Sequence, residues 1–327
     1  MITRDATGAE IDQVLAGTHA LWSDGLDREA YAGYVRTMMA SDWARAGGYR
    51  FLVLDGGGRR VLSALKLYRL AARLDGCQVA VGGVGAVFTP PELRGRGHAS
   101  ALLDGAHAIM AARGDRAALL YSEIGAGYYA RLGYRPMRPR SSALPVPPEG
   151  GLPRGLHRMH RTELPAVMAL REREDRGLPF ALTRDEGYWR LLLARASYPT
   201  LHLGPERWES RVVLDGRRGY LWSLLREPSA QLKHDGGAAA RILELGEETP
   251  GCSAPLLLDE LFSECRRRGI ATVEAWLPAD APARDPRLAG KESEPSVVPM
   301  WRPAAGPPSQ PPDEVLHRMP LHLSDVF

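Results

Sequence analysis

Lysine is nearly missing from this chain. Only Lys66, Lys233 and Lys291 occur among its 327 residues, so 39 of the 42 basic side chains are arginine. Arginine suits planar contacts with phosphates and carboxylates. The basic residues are interspersed with 39 acidic ones and form no block of the kind that tracks a nucleic-acid backbone. Cysteine is also scarce. Cys77, Cys252 and Cys265 are odd in number and widely spaced, with no CxxC pair. That pattern excludes a disulfide framework, gives no metal signature and fits a reducing compartment. No apolar run approaches the roughly 20 residues of a membrane span. The start, Met1-Ile2-Thr3-Arg4-Asp5, lacks the basic-then-apolar order of a secretory signal. The expectation is a soluble, cytoplasmic protein without a metal, a membrane contact or a nucleic-acid partner.

What is present can build a large core. The chain is 44% hydrophobic, in a length more natural for two domains than one. Apolar residues three and four apart predict helices over 9–21 and 28–43. Strands are expected over 49–54, 61–70 and 78–88, the last rich in valine and glycine, as a buried central strand can be. A helix follows, with Ala99, Leu102, Leu103, Ala106, Ile109 and Met110 on one face and Gly114 at its end. Residues 117–121 read as a strand and 127–132 as a short helix closed by Gly133. The proline- and glycine-rich stretch 136–155 marks a boundary. The division expected is 1–146, a linker 147–155, and 156–327. The second half predicts helices over 163–174, 185–196 and 255–268, a hairpin around Asp215-Gly216, a strand over 271–277, a loop over 301–312 and a final strand over 319–327. Leu52-Val53-Leu54-Asp55-Gly56 is echoed by Val212-Val213-Leu214-Asp215-Gly216. Such repetition suggests a duplication, although turns of this kind are common.

The chemistry concentrates between Val87 and Ser100. The run Val87-Phe88-Thr89-Pro90-Pro91-Glu92-Leu93-Arg94-Gly95-Arg96-Gly97-His98-Ala99-Ser100 reads as a strand end, a glycine loop and a helix start. Unpaired N–H groups converge at such a helix start and the helix dipole adds partial positive charge, so the arrangement binds anions. Gly95 and Gly97 let backbone approach a phosphate, Ala99 keeps the helix near, and Arg94 and Arg96 add side chains. A Walker loop is excluded, because no Gly-Lys-Ser or Gly-Lys-Thr closes the run, and a dinucleotide fingerprint fails for want of its third glycine.

Arg94-x-x-Gly97-x-Ala99 after a strand ending near proline resembles the acyl-CoA signature of the GNAT acyltransferase superfamily. Downstream, Tyr128-Tyr129-Ala130-Arg131-Leu132-Gly133-Tyr134 resembles the family's tyrosine helix. Together the two motifs cover about residues 49–146. Residues 87–92 with Leu120-Tyr121-Ser122-Glu123-Ile124-Gly125 look, more narrowly, like fungal lysine N6-acetyltransferases and their bacterial relatives, with Glu123 in place of aspartate and Tyr134 in place of tryptophan.

The resemblance implies an α/β (α+β) fold with a mixed, mostly antiparallel central sheet flanked by helices, followed by a second, degenerate GNAT-like domain. The second half lacks an Arg-x-x-Gly-x-Gly run, so loss of coenzyme A binding is expected there. The implied reaction is direct transfer of an acetyl group from acetyl-CoA to a primary amine, lysine or another small amine. Val87, Phe88 and Thr89 would polarise the thioester carbonyl, and Arg94, Gly95, Arg96, Gly97, His98, Ala99 and Ser100 would hold the diphosphate. Tyr129 would serve as general acid and Glu123 as base or amine anchor. Trp22, Asp24, Asp325 and the terminal Phe327 are substrate-contact candidates. A protein lysine or N-terminus as acceptor, and a non-catalytic acyl-CoA-binding sensor or scaffold, are the alternatives. The chain is expected as a monomer or homodimer.

Overall fold

The computed structural model describes residues 1–58, 60–137, 139–151, 154–227, 239–278, 280–295 and 297–304. The chain opens with strand β1 (Ile2–Asp5) and helices α1 (Gly8–Trp22) and α2 (Arg28–Met39). Thr7 caps α1 in a reciprocal box with Glu10, and the Asp27 carboxylate caps α2, which removes orphan amides at both starts. The second helix stops at Met39, four residues before Trp43, and a wide turn over Ala44–Gly48 follows. Then come β2 (Tyr49–Asp55), β3 (Val61–Leu74), β4 (Cys77–Phe88), α3 (His98–Ala112), β5 (Ala117–Ser122), the single turn α4 (Gly127–Ala130) and β6 (Arg135–Pro136).

The second half contributes β7 (Ser141–Pro145), β8 (His157–Arg158), α5 (Leu164–Glu174), β9 (Phe180–Thr183), α6 (Glu186–Leu203), β10 (Trp208–Asp215), β11 (Gly219–Arg226) and β12 (Ala240–Glu247). It ends with α7 (Ala254–Arg267), β13 (Thr272–Trp276), α8 (Ala281–Arg284), β14 (Lys291–Glu292) and β15 (Val298–Pro303). The expected strand at 319–327 lies outside the described residues. The expected loop at 301–312 is corrected over its first part. Trp301 is 2% exposed and sits in β15.

Two mixed, mostly antiparallel sheets result. The first runs β1-β2-β3-β4-β5-β15-β6, with β9 added to the far end of β3. The second runs β8-β10-β11-β12-β13-β7-β14. Position by position the orders correspond, and so do the directions. Among the described strands only β4·β5 and β12·β13 are parallel, and α3 and α7 form their crossovers, as a parallel pair requires. The Leu52 to Asp55 segment lies on β2 and its echo on β10, the second strand of each sheet. The sixth position of each sheet is filled by a strand from the other side of residues 147–155. Ser141–Pro145 joins β13, and Val298–Pro303 joins β5. Sheet pairing therefore crosses that segment in both directions.

Strand alternation sorts the core. Leu52, Leu65, Leu67, Val84 and Leu120 face α3, whose Leu102, Leu103 and Ala106 are fully buried. Phe51, Val53, Ala64, Tyr68 and Val81 face α1, α2 and α6. Gly82 lets α3 approach, since a Cβ there would collide with the Met110 side chain. In the second half, Leu257, Leu258, Leu261, Phe262 and Cys265 line the buried face of α7, each contributing about 1.5–3 kcal/mol for the larger side chains. Cys265 is packing, and burial pushes its thiol up to about 12.

Candidate active site

Strands β4 and β5 pair only from Val81 opposite Ala117 to Val84 opposite Leu120. Beyond that point β4 bulges. Lys66 of β3 faces Gly85 and Ala64 faces Phe88, so three steps on β4 match two on β3. Ala86 takes φ 48° to make the bulge, a conformation that costs a non-glycine residue energy. The two strands separate here, while β15 holds the other edge of β5 as far as Ser122. The wedge thus exposes β4 backbone around Val87 and Phe88 between two otherwise paired strands.

The turn after β4 is fixed at both ends. Ser63 Oγ donates to the Phe88 carbonyl at 2.8 Å and lies 2.9 Å from the Thr89 hydroxyl, which donates to it in turn. Leu93 anchors the turn in the core, and Arg94 Nε donates to the Thr89 carbonyl at 3.2 Å. Gly97 is the N-cap of α3 at φ 78°, and Gly95 has φ 76°. Only glycine adopts these values readily. Neither is glycine for packing, because a Cβ at 95 or 97 would meet nothing within 4 Å. Among the described residues the amides from Gly95 to Ser100 meet no acceptor, and the first helical bond belongs to Ala101. The enclosed His98 Nδ1 has no hydrogen-bond partner among the described residues. Unpaired amides, a dipole end and open space suit a diphosphate.

Tyr129, on α4, is 8% exposed. Burial, then the neighbouring Tyr128 and the Glu123 charge, push its phenol up to about 12. Its hydroxyl has no hydrogen bond among the described residues. Tyr128 turns the other way, its hydroxyl 3.2 Å from Ser100 Oγ, which ties α4 to the first turn of α3. Glu123 is exposed just past β5, and the Trp22 indole N–H donates to it at 3.3 Å. The structure therefore brings Trp22, Glu123 and Tyr129 to the end of β5, beside the wedge.

The remaining candidates divide. Asp24 is exposed in the α1–α2 turn at φ 51°, next to Gly25 at φ 86°. Asp325 and Phe327 lie outside the described residues. His107 of α3 is half-buried. It lies 2.8 Å from the Tyr134 hydroxyl, and burial with nearby Arg302 holds it down to about 4. Arg302 of β15 also donates to the Leu132 carbonyl, bracing the end of the tyrosine turn.

The sequence reading missed Lys66. It stands in β3 with its side chain toward α2 and α6, and burial followed by Arg195 holds its ammonium down to about 8. An isolated lysine within an apolar run, in a chain with only two others, was the available signal.

The second sheet has a corresponding bulge, at Leu243 of β12, and a corresponding separation beyond Ile242. The helix start there is already occupied. The Glu247 carboxylate, 2% exposed, accepts from the amides of Gly251, Ser253 and Ala254 at 3.0, 2.8 and 2.6 Å. A charge of the chain's own fills the place that stays open at Gly95 to Ser100.

Residues 3–137 match the family model described as an acetyltransferase (GNAT) domain. No curated protein sequence matches the chain. Among solved structures it resembles a GCN5-related N-acetyltransferase from Kribbella flavida at 18% identity and TM-score 0.63, over 92% of this chain and 70% of that one. A GCN5-related N-acetyltransferase from Anabaena variabilis follows at 16% and 0.60, over 92% and 72%. Eis1 from Mycobacterium abscessus stands at 16% and 0.57, over 93% and 74%. The amino-terminal part of this chain thus matches the acetyltransferase (GNAT) domain, and the described fold as a whole is that of GNAT structures.

Proposed function

We propose that the protein transfers an acetyl group from acetyl-CoA to the primary amine of a small molecule in one direct step. The observation that carries this reading is the open set of amides from Gly95 to Ser100 at the end of a wedge between parallel strands. The diphosphate of coenzyme A would rest on those amides with Arg94 and Arg96 beside it, and its pantetheine arm would run between β4 and β5. Backbone N–H groups near Val87, Phe88 and Thr89 would meet the thioester oxygen as negative charge develops on it.

The acceptor must lose a proton to attack, since an ordinary alkylamine has a pKa near ~10.4. Glu123 takes that proton or anchors the amine, and the Trp22 N–H keeps its carboxylate oriented. The nitrogen then bonds to the acyl carbon and the carbon–sulfur bond breaks. Tyr129 donates a hydrogen bond, and finally its proton, to the leaving thiolate. Its raised pKa keeps the phenol protonated until the sulfur becomes negative. The desolvation that raises the phenol raises the thiol in the same enclosed place.

The unit that binds acetyl-CoA is proposed as 1–146 and the degenerate one as 156–327, with 147–155 between them, β7 passing to the second sheet and β9 and β15 to the first. Glu247 leaves the second unit without an anion site, and its part is to cover the acceptor side. A lysine-type acceptor is favoured by the narrower likeness of residues 87–92 and 120–125 to fungal lysine acetyltransferases. The protein is proposed to act in the cytoplasm as a monomer or homodimer. The test is thiol release from acetyl-CoA against a panel of free amines and peptides. Release with small amines supports the proposal, and tight binding without release on any acceptor rejects it in favour of a sensor.

A further inference from the structure

Past the last paired position of β4 and β5, the wedge has an aromatic wall on the side away from α3. Tyr121 is the first residue of β5 beyond Leu120, which lies opposite Val84. Alternation sends Leu120 toward α3 and Tyr121 to the other face. Phe88 takes that face at the end of β4, so each strand of the wedge turns one ring to it. The Phe88 ring lies against α1, where a Cβ on Gly17 would stand 3.0 Å from it. Trp22, at the end of α1, packs half-buried against the same core cluster and reaches Glu123 through its indole N–H.

The second half supplies a further ring. Trp276 of β13 is 5% exposed and stacks on Tyr121, with centroids 6.2 Å apart and planes at 26°. Tyr121 is only half-buried, so Trp276 backs a ring that keeps part of its surface open. The apolar character continues outward. Among the described residues few large hydrophobic side chains are exposed, and two of them, Leu21 at 38% and Ile124 at 71%, flank the Trp22–Glu123 pair in sequence. Exposed apolar surface beside a cleft marks a place where apolar material binds. Glu123, and Asp24 two residues past Trp22, put negative charge beside it.

We propose that this surface holds the carbon chain of the acceptor, which is an amine on an apolar chain of several carbons. This rests on the acyl-transfer reading for its orientation. The ammonium form is drawn in by the aromatic faces and the two carboxylates. The chain lies along Tyr121 toward Leu21 and Ile124, with the nitrogen at the wedge. Tyr121 is the contact residue, and Trp276 is a positioning residue that holds its ring. A lysine-type side chain meets this description, and a short polar amine does not.

The experiment is calorimetric titration of the full chain, with and without coenzyme A, with propylamine and with hexylamine. Each buried methylene strengthens binding about fourfold, so hexylamine should bind roughly tenfold or more tightly. Tyr121→Ala should bring the two amines within about threefold, and Tyr121→Phe should keep the preference. Trp276→Ala should lose the preference and Trp276→Phe should keep it. Unchanged coenzyme A affinity in all four variants separates a misplaced ring from a misfolded chain. Equal affinities in the unaltered chain, no binding of either amine, or an unchanged preference in Tyr121→Ala overturns the surface. An unchanged preference in Trp276→Ala overturns the positioning role. Failure of the acyl-transfer reading is distinct. It would appear as coenzyme A binding without thiol release on any amine, and the titration would still decide the surface.

Discussion

Trp22, the last residue of α1, donates its indole N–H to the carboxylate of Glu123, 101 positions further along the chain, at 3.3 Å. The contact ties the α1–α2 turn to the end of β5. Glu123→Gln keeps the shape and removes the basicity, so kcat/KM for the amine should fall about 100-fold, with little change in KM for acetyl-CoA. Trp22→Phe removes only the orienting bond and should cost about three- to tenfold. Steady-state kinetics at saturating acetyl-CoA decide this, and an undiminished rate for Glu123→Gln removes the residue from the chemistry.

Tyr129→Phe should lower kcat by about 10²–10³, while acetyl-CoA still binds within about twofold. The phenol is pushed up to about 12. Its proton therefore stays in place, and no alkaline decline in kcat should begin on its account below about pH 10. A rate profile from pH 6 to 10 checks both points. Full activity in the phenylalanine variant assigns Tyr129 to packing.

His107 makes stability depend on acidity. Burial, then Arg302, holds its folded-state pKa near 4 against an ordinary 6.5. Between those values the unfolded chain binds more protons than the folded one. The contribution is fully present above pH 6.5 and is lost as pH falls toward 4. Unfolding in urea should therefore need about 1–2 kcal/mol less at pH 5 than at pH 7.5 from this ring. His107→Gln should flatten that part of the profile. An unchanged slope in the variant places the acid sensitivity elsewhere.

Glu247 satisfies three amides at the start of α7, two of them buried. Glu247→Ala leaves them without an acceptor and should cost about 2–4 kcal/mol, readable as a lower urea midpoint. The unaltered chain should bind one coenzyme A, because a carboxylate already fills the second helix start. Two equivalent sites by calorimetry would contradict that assignment.

The first turn was legible because its function is carried by backbone. Gly95 and Gly97 must be glycine for φ and for open space, and an arginine three residues before Gly97 completes the pattern. The β4–α3–β5 crossover was legible for the same local reason, since a valine-rich strand and a short apolar one flank an amphipathic helix. β15 was not. Its pairing with β5 joins residues some 180 positions apart in sequence, and its prolines at 299 and 303 read as loop. Glu247 was hidden because its partners are amides rather than side chains. Lys66 showed as an isolated charge in an apolar strand, but its surroundings include α6, a helix from the other half.

The most direct measurement is calorimetric titration of acetyl-CoA into the full chain and into Gly97→Val. A valine at φ 78° is strained, and its side chain fills the open space in front of the amides. The unaltered chain should bind one acetyl-CoA saturably, and Gly97→Val should bind at least tenfold more weakly with an unchanged circular dichroism spectrum. No measurable affinity in the unaltered chain, or equal affinity in the variant, would contradict the assignment of this turn to coenzyme A.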